Sequence, residues 1–330
     1  MMNKRLKQGS TFLLALALAF PLLTLPGARA ANAIETDRKC SVSFSVSGEG
    51  NELTDTGTDI TVNLYKVADV DVSGNYTATG AFTGLDVSSV RADNNDAASE
   101  WADRAKEAQK MLKESVEPTA TVTLAKGIGS KDGLATGLYL VDTPEVVTTN
   151  YTYTFTPYLV SLPTNNYYSN GNDTWIYDLT DTNAIGLKPE EHARYGDLKI
   201  NKTLANHNAT TGKKATFVFK IEITPLKGKT ETRIESLDFE AAGDSSVTIT
   251  KIPAGAAVTV TEVYSGASYK LTSANDQTTK IIATDEKGAP VSVSFTNDID
   301  DNMNGGYGVK NNFKLDENDQ YQYTKPAAKN

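Results

Sequence analysis

The sequence predicts an all-β protein made of two β-sandwich domains in tandem, the first with one inserted amphipathic helix. Three observations support this fold class. Apolar and polar residues alternate along most of the chain after residue 40, as in strands with one buried face. One segment, 96–114, instead repeats its apolar residues at helical spacing. The length of 330 residues is typical of two domains of ordinary size, each able to bury a core.

The composition narrows the classes of function. The chain contains 1 Cys and 2 His, so it has few donors for thiol or metal chemistry. Its formal net charge is −9 and no basic stripe stands out, which argues against a nucleic-acid partner. We therefore expect no metal, no cofactor and no nucleic acid.

The first 30 residues have the three parts of a signal peptide. A basic start is followed by an apolar run, Thr11–Leu25, and then by small residues that end at Ala30. The apolar run is shorter than the roughly 20 residues that a membrane-spanning helix needs. We expect export with cleavage near Ala30, and hence a secreted or cell-surface protein. Because Cys40 is the single cysteine, no internal disulfide can form.

The first domain is expected over residues 31–190. Its helical segment, Asp96–Glu114, carries Trp101, Ala105 and Ala108 on one face. The predicted strands are Ser41–Val46, Ile60–Tyr65, Leu134–Asp142, Tyr151–Leu162 and Trp175–Leu179.

The second domain is expected over residues 191–300, after a polar stretch from Thr180 to Tyr195. Short alternating strands with turn signals between them predict an all-β sandwich. Residues 301–330 are expected to form an ordered extension and then a loose tail. The predicted strands are Leu198–Leu204, Phe217–Ile223, Val247–Ile249, Val258–Tyr264 and Val291–Asn297.

Three polar residues of the second domain occupy positions where the alternation requires apolar ones. Burying an unpaired ammonium or carboxylate costs several kcal/mol, so three such residues need a common explanation. The three, with their neighbours on the same strand face, are Lys202 (Leu198, Ile200, Leu204), Glu262 (Val258, Val260, Tyr264) and Asn297 (Val291, Val293, Phe295).

Two explanations fit these residues. One is a buried Lys202–Glu262 ion pair whose hydrogen bonds Asn297 completes. The other is chemical: desolvation favours a neutral amine and a protonated acid, and the amine can attack the Asn297 carboxamide once the acid polarises its oxygen. Proton shuttling through Glu262 and loss of ammonia would leave an intramolecular isopeptide bond between Lys202 and Asn297, without an external enzyme.

Short motifs in both domains resemble those of a known family. The second-domain motifs resemble the Lys/Glu/Asn set of Gram-positive pilin and collagen-adhesin B-type (CnaB-like) domains, which are Ig-like sandwiches that form isopeptide bonds. They are Gly196–Thr203, Val258–Glu262 and Ser294–Asn297, and Gly305–Val309 resembles a sequence that follows this module. The motifs that resemble the N-terminal domain of pilus backbone subunits are Leu64–Ala68, Gly137–Val141 and Pro157–Pro163.

The resemblance implies an exported structural subunit of a bacterial surface fibre, with other pilin subunits and a sortase as partners. Shaft subunits of this kind offer an intermolecular lysine near the end of the N-terminal domain, in a motif of Trp, an aliphatic residue and then Tyr-Pro-Lys. Here Trp175 and Leu179 match, and Lys188 is the candidate acceptor, although its spacing is longer and Pro189 follows it. A solvated linker lysine is the alternative.

Two expectations remain open. The chain ends without an LPxTG-like signal, so either the sequence stops short of its sorting signal or the protein is secreted or attached differently. The second candidate function is an adhesin or pilus-associated module that binds a host glycan or matrix protein through its loops, for example Asn165–Asn172. A turnover enzyme is not expected, because neither His192 nor His207 has a nucleophile motif near it.

Overall fold

The structure is a computed structural model that divides into two compact units, Met1–His192 and Ala193–Asn330. Both units are mainly β-strand, which confirms the predicted all-β class. No helix in the described part of the chain is long and apolar enough to cross a membrane. The residues that the structure describes are 33–46, 52–55, 57–88, 97–113, 115–165, 174–180, 184–208, 214–266, 268–284 and 288–300, with short strands at 23–24, 90–91, 312–315 and 321–324. Most of the predicted signal peptide and tail therefore lies outside the described residues.

The first unit contains several sheets and one long helix. Its main sheet has the strand order β11-β8-β3-β4 with β6 also paired to β3, and in a second sheet β14, β15 and β7 all pair with β2. The elements in chain order are β1 (Leu23–Thr24), β2 (Cys40–Ser45), α1 (Glu52–Asp55), β3 (Ile60–Val70), β4 (Tyr76–Ala78), a 3-10 turn (Gly80–Phe82), β5 (Val90–Arg91), α2 (Ala97–Met111), β6 (Ala120–Leu124), β7 (Ile128–Leu134), β8 (Gly137–Asp142), β9 (Val146–Val147), β10 (Tyr151–Phe155), β11 (Tyr158–Leu162), β12 (Thr164–Asn165), β13 (Trp175–Ile176), β14 (Asp178–Leu179), β15 (Ile185–Gly186) and β16 (Pro189–Ala193).

The central strand β3 is buried on one face at its start and on both faces from Leu64 to Ala68. On one face Ile60 and Leu64 join the core that contains Phe44 of β2. On the other face Val67 packs in a second cluster with Trp101 of helix α2. The predicted amphipathic helix is thus present, and its apolar stripe covers the outer face of the main sheet.

The first unit differs from the sequence prediction in several details, and its strands β4, β6, β7 and β9 were not predicted. The expected strand Tyr151–Leu162 is two strands, β10 and β11, with Pro157 in the break, where proline has no N–H for a ladder. The short helix α1 was not predicted. No strand was predicted in the polar stretch Thr180–Tyr195, but it contains β15 and β16 and the start of the next strand.

The second unit is a sandwich of two four-stranded sheets that share one core. The strand orders are β20-β17-β24-β22 and β19-β18-β21-β23, and inward side chains of both sheets pack in the same cluster. The elements are β17 (Tyr195–Leu204), β18 (Ala215–Thr224), β19 (Glu231–Phe239), β20 (Gly243–Pro253), β21 (Ala257–Tyr264), β22 (Tyr269–Leu271), β23 (Asp276–Lys280) and β24 (Val291–Ile299), followed by the hairpin β25 (Asn312–Leu315) and β26 (Tyr321–Thr324). Strands β19, β22 and β23 were not predicted.

The first and last strands of this sandwich are neighbours. Strand β17 pairs in parallel with β24, with Lys202 opposite Phe295 and Leu204 opposite Asn297. The first and last strands are therefore held side by side in one sheet, with the start of β17 and the end of β24 at opposite ends of the pair.

Candidate functional site: a buried lysine, glutamate and asparagine

The three polar residues singled out in the sequence meet in the core of the second unit. Lys202 and Asn297 come from the adjacent strands β17 and β24, and Glu262 comes from β21 in the facing sheet. Lys202 and Asn297 are 0% exposed and Glu262 is 5% exposed. On each strand the polar residue lies on the same face as apolar residues two positions away, so all three side chains lie between the sheets.

The carboxyl group of Glu262 bridges the other two side chains. Lys202 Nζ donates to Glu262 Oε2 at 2.6 Å. Asn297 Nδ2 donates to Glu262 Oε1 at 2.6 Å. Lys202 Nζ also donates to Asn297 Oδ1, so each of the three groups contacts both of the others.

The surroundings of Lys202 are apolar and aromatic. Its Nζ lies 4.3 Å from the ring centroid of Phe217 and 5.8 Å from that of Phe219, and Phe219 packs against Phe295 at 5.1 Å between centroids. Burial lowers the pKa of the Lys202 amine from its ordinary value, and the hydrogen bond and charge of Glu262 oppose that shift in part. The site therefore favours the neutral, nucleophilic form of the amine more than water does.

The two phenylalanines were not recognised from the sequence as part of the site. The alternation pattern could have identified them. Phe217 and Phe219 are two positions apart and therefore share one face of β18, which is the inward face.

One detail of the predicted strand face is wrong. Val258, Val260 and Glu262 point inward, but Tyr264 does not continue this face. The ladder between β18 and β21 shifts register between Val218 and Phe219, so that Tyr264 lies opposite Val218, on the outer side. This irregularity leaves Val263 as the extra residue of a β-bulge directly after Glu262.

The arrangement has the parts needed for one acyl transfer. A buried amine lies against a carboxamide, and a single carboxyl contacts both the attacking nitrogen and the nitrogen that would leave. The sequence-based expectation that the acid polarises the carboxamide oxygen differs from this geometry, because Glu262 contacts Nδ2 of Asn297 while Oδ1 contacts Lys202 Nζ. No group of His, Cys, Asp and Glu side chains in the described part of the chain could hold a metal ion.

The remaining predicted residues lie apart from this site. Lys188 is exposed, between β15 and β16 of the first unit. Cys40 is fully buried in the core of that unit. In the loop considered for ligand binding, Asn165 ends β12, and residues 166–172 lie outside the described residues.

Comparison with known sequences gives one family. Residues 198–300 match a family described as domain of unknown function DUF5979. The matched range contains Lys202, Glu262 and Asn297. A comparison with curated protein sequences finds no match.

Several solved structures are similar to this chain. The Bacillus anthracis TIE protein is 13% identical with a TM-score of 0.33, over 86% of this chain and 40% of that one, so this chain spans less than half of its length. The Corynebacterium diphtheriae major pilin SpaA is 12% identical with a TM-score of 0.24, over 78% of this chain and 100% of the pilin. GBS52, the minor pilin of Streptococcus agalactiae, is 12% identical with a TM-score of 0.25, over 82% of this chain and 100% of the pilin.

Proposed function

We propose that this protein is an exported structural subunit of a bacterial surface fibre, and that its second unit is stabilised by a self-generated isopeptide bond between Lys202 and Asn297. The observation that carries the proposal is the bridging carboxyl of Glu262, which lies 2.6 Å from Lys202 Nζ through one oxygen and 2.6 Å from Asn297 Nδ2 through the other. The same carboxyl holds the Lys202 amine in contact with the Asn297 carboxamide, as a bond between the two side chains requires.

The reaction balances without a co-reactant. Nζ of Lys202, as a neutral amine, attacks Cγ of Asn297 and forms a new C–N bond. Glu262 accepts a proton from Nζ and donates a proton to Nδ2, and the bond between Cγ and Nδ2 then breaks. An amine and a carboxamide become one secondary amide and one molecule of ammonia. Because the reacting groups are part of the product, each chain reacts once and is not a turnover enzyme.

The topology suits a protein that carries load. Strand β17 opens the second unit and β24 closes it, and the two are parallel neighbours. A pull between the two ends shears these strands past each other, and a bond from Lys202 to Asn297 would carry that force covalently. With 1 Cys in the chain, a disulfide cannot supply such a cross-link.

The proposal assigns a role to each segment of the chain. Residues 1–30 would be removed as a signal peptide, residues 31–190 would form the pilin-like domain, residues 191–300 the cross-linked sandwich, and residues 301–330 an extension. Exposed Lys188 would be the amine that a sortase joins to the next subunit. The partners would then be other copies or other pilins, at the cell surface.

The fibre is tested on the native cell surface. Proteins released from the cell wall are separated under denaturing and reducing conditions and detected with an antibody against this chain. We expect a ladder of covalent oligomers, which Lys188→Arg abolishes and which Lys131→Arg, a change of another exposed lysine, leaves intact. A single monomer band from wild-type cells would contradict the fibre subunit. Specific binding of that monomer to a host glycan or matrix protein would support an adhesin instead.

A further inference from the structure

Strand β24, which carries Asn297, is only partly supported along one edge. On one side it pairs with β17 from Val291 to Asn297. On the other side, in the part of the chain that the structure describes, β22 pairs only with residues 297–299. No strand is paired with the edge from residue 291 to residue 296 there, although this edge leads directly to the Asn297 carboxamide.

A side chain from the facing sheet occupies this edge. Gln277 lies on β23, on the same face as Val260 opposite it, and reaches across the open side of the sandwich. Its Oε1 accepts a hydrogen bond from Ser294 N at 3.0 Å, and its Nε2 donates to Ser294 O. One carboxamide thus replaces both hydrogen bonds that a residue of a neighbouring strand would make.

Two further contacts continue this support toward Asn297. Ser273 Oγ accepts from Thr296 N at 3.2 Å, and Thr272 N donates to Thr296 O at 2.8 Å. Nε2 of Gln277 also donates to Ala274 O at 3.3 Å, which orients the amide. The N–H and C=O groups of Ser294 and Thr296 on the free edge therefore all have hydrogen-bond partners, and Thr296 is the residue directly before Asn297.

We infer that Gln277 is a positioning residue for the cross-link: it fixes the free edge of β24 to β23 of the facing sheet, so that the Asn297 carboxamide stays in contact with Lys202 Nζ. The inference rests on the proposed isopeptide reaction. Gln277 touches no reacting atom and acts through the backbone of Ser294, three residues before Asn297. Small displacements of a reacting group lower the rate of an intramolecular reaction strongly, which is why a hydrogen bond at this distance matters for the chemistry.

The test is the rate of ammonia loss from newly made full-length chain. The chain is synthesised with a short pulse of isotope-labelled amino acids, quenched in denaturing acid at intervals, and weighed intact by mass spectrometry. Gln277→Met keeps the length of the side chain and removes the amide, and loss of two hydrogen bonds predicts a rate about tenfold lower. Thr278→Val, on the outward face of the same strand, is the matched control and should react as wild type does, although its hydroxyl lies 3.1 Å from Thr259.

A pH series separates positioning from a general loss of stability. Gln277→Glu keeps the acceptor for Ser294 N and loses the donor for Ser294 O while the new carboxyl is ionised. Below about pH 4 the carboxyl is protonated and regains the donor, so its rate relative to wild type at the same pH should recover. A relative rate that stays low in acid would overturn the inference, and this series applies even if Gln277→Met does not fold.

The two proposals fail in different ways. A wild-type chain that loses ammonia while Gln277→Met loses it equally fast would overturn the role of Gln277 and leave the cross-link standing. A wild-type chain that never loses ammonia would overturn the cross-link, and the role of Gln277 with it.

Discussion

Lys202 and Asn297 lie on the same face of two adjacent parallel strands, and Asn297 is opposite Leu204, two residues beyond Lys202. They are 95 residues apart in the sequence. A bond between them would close most of the sandwich, from β17 to β24, into one covalent loop. In the chain-entropy treatment used for disulfides, a loop of this length is worth about 4 to 5 kcal/mol of stability.

Replacement of Glu262 should remove the cross-link. In Glu262→Gln no carboxyl can take the proton from Lys202 or return one to the leaving nitrogen, so the chain should keep its full sequence mass. The free energy of unfolding of the second unit should fall by about 4 to 5 kcal/mol with the loss of the loop. Intact mass and urea unfolding measure the two effects.

A glutamate on the neighbouring strand provides the control for this change. Glu222 is half-exposed and forms an ion pair with Lys220 at 2.9 Å. Glu222→Gln should therefore change the stability by no more than about 0.5 kcal/mol and leave the mass deficit intact. A Glu262→Gln chain that still loses ammonia would contradict the proton shuttle.

Removal of the electrophile should expose the titration of Lys202. In Asn297→Ala the amine stays free, and burial lowers its pKa below the ordinary value of 10.5. Between the lowered pKa and 10.5 the unfolded chain binds more protons than the folded one, so stability rises with pH in this window. In the cross-linked wild type Nζ is an amide nitrogen and does not titrate.

The stability gap between wild type and Asn297→Ala should therefore narrow as the pH rises toward 10.5. Urea unfolding at several pH values from neutral upward measures the gap. A gap that stays constant over this range would show that burial does not lower the pKa of the Lys202 amine.

Cys40 should be unreactive in the folded protein. It is fully buried, and burial raises the pKa of its thiol to about 11, so little thiolate forms at pH 8. Iodoacetamide should label it only in denaturant. Rapid labelling in buffer without denaturant would contradict its place in the core.

The helix of the first unit should depend on Trp101. This side chain is 4% exposed and packs in the cluster between α2 and the main sheet. Trp101→Ala should destabilise the first unit by about 3 to 5 kcal/mol. Lys106→Ala on the exposed face of the same helix should cost less than about 0.5 kcal/mol, because its ion pair with Asp103 is at the surface. Thermal unfolding of both variants checks the difference.

The sequence was sufficient to identify the three buried polar residues, because each lies on a strand whose other inward residues are aliphatic or aromatic. The inward face of β17 is read without ambiguity from Leu198, Ile200 and Leu204. The position of Tyr264 could not be read in this way, since a bulge changes the face of a strand without any required change in composition.

Strands β19 and β23 were not predicted from the sequence because neither shows a clear alternation of apolar and polar residues. Strand β19 places Glu231, Arg233 and Glu235 on its inward side, at the edge of the sandwich where solvent still reaches them. Charged inward residues are common on edge strands, where they discourage pairing with other chains. They also remove the alternation of apolar and polar residues from which a strand is predicted. Strand β23 is polar on both faces, so the support that Gln277 gives to β24 has no signal in the sequence alone.

The cross-link itself is tested most directly by peptide-level mass spectrometry of the protein taken from its native cell surface. We expect one peptide pair in which Lys202 is joined to Asn297, lighter than the sum of the two peptides by one molecule of ammonia. The intact chain should have the same mass deficit. Recovery of the Lys202 and Asn297 peptides as separate, unmodified species would show that the cross-link does not form.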